Sequence, residues 1–200
     1  YMIVELVRGL GPDVIHVAAA MTYTLLVLLA ALLARGRATG RQAATQMLLA
    51  AGIMLAPTLG VDANVLLLSP DHTGTMVPLL VMWLILDRAG RRWYVPAVAG
   101  LILALATVAD NVTLLEGTVP VIVVCLLRLV RDRRSGAQRW FELALAGSAA
   151  ASAVAARLAI SLIRRGGGFS VHPVTSLLGS FGDLGQRAVN TGKGLLVLFG

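Results

Sequence analysis

The stretch IHVAAAMTYTLLVLLAALLA, residues 15–34, runs directly into Arg35-Gly36-Arg37, and that junction decides the fold. A helix needs roughly 20 apolar residues to cross about 30 Å of hydrocarbon, and this segment supplies them. The pattern then repeats. Apolar runs follow at Ala43–Gly60, Thr75–Leu86, Trp93–Ala109, Thr118–Val130 and Trp140–Ile163, and another opens near Gly194. The expected fold is all-α: a polytopic transmembrane helical bundle of about six complete spans plus the start of a seventh. Trp93 and Tyr94 are placed as interfacial anchors of the fourth span.

Charge sets the expected orientation. Of the seventeen basic residues, eleven fall at 35–41, 88–92 and 128–139, the loops after spans one, three and five. The loops after spans two and four contain none. Basic residues stay with the cytoplasmic leaflet, so loops 35–42, 87–92 and 131–139 are read as cytoplasmic. Loops 61–74, 110–117 and 164–192 are then on the outer face, as are residues 1–13, and the protein is expected in the cell membrane as a multi-pass chain.

Composition agrees. Hydrophobic residues make up 58% of the chain and charged residues 14%, displaced from the soluble average toward the membrane class. The net charge of +7 does not call for a nucleic-acid partner, because the arginines are accounted for by helix ends, and 5% aromatics is too few for a base-stacking platform. The bilayer is the first partner expected. Cys125 is the only cysteine, so no internal disulfide can form, and its apolar run makes it core or lipid-facing packing. Arginine, alanine and glycine abound while lysine occurs once, at Lys193, which points to a GC-rich bacterial source. The chain starts at Tyr1 with no visible signal peptide and ends inside an apolar run, and it is read as a single transmembrane domain cut from a longer protein.

The ionisable residues at the outer ends of the spans are the candidate chemistry. His72–Leu86 is 15 residues, roughly 22 Å of helix, Trp93–Ala109 is 17, roughly 25 Å, and Gly117–Val130 is 14, roughly 21 Å. Asp71, His72, Asp110 and Glu116 lie just beyond these short spans and are expected somewhat below the outer interface. Charge at that depth is tolerated inside protein or in a watery cavity. The plain alternative is helix capping with local bilayer thinning. Ser69 and Pro70 are fully explained as the start of a helix. His72 beside Asp71 is not; a carboxylate can orient an imidazole, raise its pKa, or share a divalent cation or a phosphate with it. No histidine or cysteine spacing reaches that of a structural zinc site.

Arg157, Ser161, Arg164 and Arg165 share one helical face on the outer side, against the charge rule. They either snorkel to headgroups or hold an anionic group by forked hydrogen bonds, with His172 near the same surface. Gly166, Gly167 and Gly168 end that helix, and Val174, Leu177, Leu178, Phe181 and Leu184 then recur at the spacing of a short surface helix. Three other residues are given structural readings: His16 faces neighbouring helices, Asp87 with Arg91 is a weak surface pair, and Glu142 starts the sixth span.

Four segments together resemble the GT-C class of polytopic glycosyltransferases, in its bacterial polyprenyl-phosphate-sugar-dependent form. They are Leu32-Leu33-Ala34-Arg35-Gly36-Arg37; Ser69-Pro70-Asp71-His72-Thr73-Gly74-Thr75; Leu105-Ala106-Thr107-Val108-Ala109-Asp110 with Pro120 opening the next helix; and Arg164-Arg165-Gly166-Gly167-Gly168-Phe169 leading to Leu198-Phe199-Gly200. The resemblance covers most of the chain through loose, largely apolar motifs. It implies transfer of a sugar from a lipid-linked phosphate donor on the outer face. Asp71, His72 and Asp110 would then be catalytic, and Glu116, Arg157, Arg164, Arg165 and His172 would bind substrate. It also implies a catalytic acid in the first outer loop, which in this register lies largely before Tyr1; Glu5 and Asp13 are the nearby acids. Two alternatives stand beside it. A transporter or flippase would want inverted repeats and mid-membrane charge, whereas the ionisable groups here gather at span ends. The other is a non-catalytic integral membrane protein.

Overall fold

The computed structural model describes residues 12–56, 70–131, 136–168, 185 and 188–193. The elements among them are helical: α1 (Pro12–Arg35), α2 (Gly40–Leu55), α3 (Pro70–Arg88), α4 (Val95–Ala109), a π-helical turn (Leu114–Thr118) running into α5 (Val119–Arg131), and α6 (Gly136–Arg165). No strand occurs among the described residues. The all-α expectation therefore holds, with one helix for each of the six expected runs. The expected seventh run and the surface helix around 174–184 lie outside the described residues.

Among the described residues, two helices are long and apolar enough to cross a membrane, His16–Arg35 and Gln138–Arg165. Val95–Ala109 is equally apolar but shorter. Only 22% of the apolar window of each long helix is buried within the chain.

Helix boundaries correct several expected loops. α3 begins at Pro70, so Asp71 and His72 belong to its first turn rather than to a loop at 61–74. It ends at Arg88, and at 19 residues it is about 28 Å long instead of the expected 22 Å. The loop expected at 110–117 is largely coiled: Val119 N–H bonds to Leu114 O, five residues back, and Glu116 sits inside that π-turn. The reason lies one residue further on. Pro120 has no N–H to give Glu116 O, so the i→i−4 ladder cannot run unbroken into α5. The loop expected at 131–139 is cut short because α6 already starts at Gly136, ahead of Trp140.

Short turns join α1 to α2 and α3 to α4. Gly36 and Gly90 adopt φ of 51° and 64° in the turns after α1 and α3, a backbone region open to glycine at little cost. α2 packs on α1, α1 on α3, α3 on α4, and α4 along α6, which also carries α5. Gly100 lets α4 and α6 approach closely: a Cβ there would lie 3.1 Å from both Cβ and the carbonyl oxygen of Ser148. The core is built from Leu79, Met82, Ala99, Leu103, Val121, Cys125, Leu145 and Ala149.

Large apolar side chains face outward, among them Leu48 (72% exposed) and Val130 (86%). Hydroxyls in mid-helix bond back to their own helix: Thr22 to Ala18 O (2.8 Å), Thr24 to Ala20 O (2.8 Å) and Ser152 to Ala149 O (2.7 Å). Such return bonds keep a polar proton satisfied where water is scarce.

Candidate functional site

The two ends of the bundle differ in chemistry. At one end α3 meets the end of α4. Asp110 follows α4 in an extended conformation, and its backbone N–H bonds to Ala106 O. Its carboxylate accepts the Val112 N–H at 2.9 Å and the Thr75 hydroxyl at 3.4 Å. Asp110 thus closes the turn between α4 and the π-helix and fastens that turn to α3. Thr75 is one helical turn beyond Asp71, so the Asp71–His72 segment and Asp110 belong to the same end.

Glu116 is exposed within the π-turn at this end. Arg157 belongs to the same level: Gly100 of α4 lies beside Ser148 of α6, and nine residues further along each helix, about 13.5 Å, come Ala109 and Arg157. Arg157, Arg164 and Arg165 are all exposed on α6, the last two in its final turn. That helix ends in a glycine cap, with Gly168 N–H on Ile163 O (2.9 Å) and Gly167 at φ 77°. The side chains of Asp71 and His72, and the whole of His172, lie outside the described residues.

The opposite end gathers the arginines. The turns after α1 and α3 and the last turns of α5 come together there around a cavity of about 830 Å³. Arg37, Arg91 and Arg128 line it, with Asp87, Cys125 and Glu142. Arg88 fastens this end by donating to Leu32 O (3.1 Å), one of the last carbonyls of α1, which the helix itself leaves open. With its amide turned, Gln138 of α6 accepts from the Arg91 guanidinium at 2.9 Å and ties the α3–α4 turn to α6.

Glu142, expected as a structural residue at the start of the sixth span, lies early in α6 and is buried in the cavity wall. Its side chain is 9% exposed and sits 3.6 Å from Arg128, which is itself 60% exposed. The Cys125 thiol is within hydrogen-bonding reach of the carboxylate. Its Oε2, however, is buried and has no hydrogen-bond partner among the described residues. A signal was present: Leu145, Ala149, Ser152 and Ala156 are buried at alternating steps of three and four, and extending the stripe back by three lands on Glu142. Asp87, read as a weak partner of Arg91, pairs instead with Arg88 at 3.8 Å and borders the cavity. Among the described residues, no three of His, Cys, Asp and Glu converge as metal ligands would.

Comparison with protein-family models, with curated proteins and with solved structures finds no match for the chain.

Proposed function

We propose that the chain is a multi-pass membrane protein whose carboxylate-bearing end faces outward and transfers a sugar from a lipid-phosphate carrier, in the manner of the GT-C class. All six helices would lie in the bilayer, the arginine-rich turns on the cytoplasmic side and residues 1–13 outside. The outward-facing apolar side chains and the gathering of Arg37, Arg91 and Arg128 at the end opposite Asp110 support this. In the reaction, an acceptor hydroxyl attacks the anomeric carbon, its proton passes to a carboxylate, and the polyprenyl phosphate leaves. Arg157, Arg164 and Arg165 would neutralise that phosphate.

The observation that carries the reading is the Thr75–Asp110 hydrogen bond, which draws the α3 entry turn and the α4 exit toward each other. It also divides the roles. Asp110 is engaged in holding the turn, so it positions, while exposed Glu116 and the Asp71–His72 pair remain to exchange protons. The test is transfer from a polyprenyl-phosphate sugar in membrane vesicles. Asp71→Asn and Arg164→Ala each abolish transfer at unchanged membrane abundance; full transfer in both variants refutes the assignment.

A further inference from the structure

The cavity at the arginine-rich end is built for a ligand that the outer-face reaction does not use. Three guanidiniums, from Arg37, Arg91 and Arg128, border it. Guanidinium forks match phosphate oxygens in shape and charge. A bare anion is nevertheless a poor fit, because the Glu142 carboxylate is buried in the same wall and would repel it. Among the described residues Glu142 Oε2 has no hydrogen-bond donor, and a buried carboxylate oxygen is costly to leave so. The missing partner is therefore a donor. Arginines calling for an anion and a carboxylate calling for a donor, around one space of about 830 Å³, describe a small zwitterion.

We propose that this cavity binds a phosphoethanolamine group, its phosphate on Arg37, Arg91 and Arg128 and its ammonium on Glu142. An ammonium offers three N–H donors and a positive charge to Oε2, whereas a trimethylammonium offers the charge without the donors. The rest of the wall holds Asp87, which pairs with Arg88 at 3.8 Å and adds a second carboxylate for an ammonium to face, and apolar Leu33, Val124 and Phe141, so the cavity accepts the group either as a free ester or at the head of a phospholipid. The site is independent of the sugar-transfer reading, since binding is measured with no transfer step.

Purified full chain in detergent is titrated with O-phosphoethanolamine and with phosphocholine. The same chain in nanodiscs is examined for retained phosphatidylethanolamine against phosphatidylcholine by native mass spectrometry. The ethanolamine form binds about tenfold tighter than the choline form, the worth of one charge-assisted hydrogen bond. Glu142→Gln, which keeps shape but loses the charge, reduces that preference to near unity. Arg91→Ala, in an exposed turn, weakens both ligands and leaves the preference intact. A free ester that binds as well as the lipid identifies a soluble ligand, and retention of the lipid alone identifies a membrane headgroup. Equal binding of the two head groups by the wild type, or a preference that survives Glu142→Gln, overturns the proposal.

Discussion

Gly117→Ala tests whether the π-turn is locked into the core. A Cβ at residue 117 would lie 2.6 Å from Leu79 Cδ2 and 2.8 Å from Leu103 Cδ2. Comfortable carbon–carbon contact is about 3.5–4.0 Å, so the added methyl is short by about 1 Å on two sides at once. Methyl ends of leucine can often swing away, but Leu79 is 2% exposed and Leu103 is fully buried, and both are hemmed in by the core. Overpacking of this kind costs about 1–3 kcal/mol. Alanine recovers at most about 1 kcal/mol over glycine in a helix, and less in a π-turn than in an ideal α-helix. The expected net loss is about 1–2 kcal/mol. Unfolding of the purified protein in mixed micelles, titrated with a denaturing detergent, reads it directly. A double-mutant cycle supplies the control: with Leu79→Ala one side of the clash is gone, and the penalty of Gly117→Ala falls by about 1 kcal/mol. Unchanged or raised stability in Gly117→Ala, or the same penalty in both backgrounds, would show that the turn is not gripped as described. Glu116 is carried by this turn, so a loosened turn also displaces a candidate proton acceptor.

Other expected outcomes address the two ends. Glu142→Leu removes a buried, partly unpaired carboxylate and raises stability by about 1–3 kcal/mol while abolishing phosphoethanolamine binding; a lower melting temperature in the same detergent would contradict it. Asp110→Ala loses the bonds to Val112 and Thr75 and destabilises by about 1–3 kcal/mol, while Asp110→Asn keeps an acceptor and loses less; the two melting temperatures decide. Arg88→Ala frees Leu32 O at the end of α1, an exposed bond worth about 0.5–1.5 kcal/mol, visible as faster amide exchange in the last turn of α1. Cysteines placed at positions 116 and 131 on a Cys125→Ala background are labelled by an impermeant thiol reagent from opposite faces of sealed vesicles; labelling of both from the same face defeats the proposed topology.

How far the sequence reached can be judged helix by helix. Apolar run length, with arginines closing the first, third, fifth and sixth runs, located all six helices, because hydropathy and charge are properties of single segments. They are set before any helix meets another. Boundaries were less legible where a backbone device intervened. The π-turn at Leu114–Thr118 extends a helix into what the sequence presented as a loop, and the coil of α6 absorbs residues 136–139, whose polar composition hid them. The ionisable residues at the Asp110 end were visible as types, but the hydrogen bond that Asp110 makes was not, since the Thr75 hydroxyl that engages it comes from a helix 35 positions away.

The sequence alone thus determined that this is a chain of apolar helices punctuated by arginine. A run of about 20 side chains fixes its own hydrophobicity, whatever it packs against. Tertiary structure alone decided that Arg37, Arg91 and Arg128, from three separate turns, share one cavity with Glu142. It also decided that Glu142 is buried there with one oxygen lacking a donor among the described residues. Convergence of that kind depends on which helix faces touch. Here α1, α3, α5 and α6 each turn residues into that one space, and no local pattern encodes their meeting.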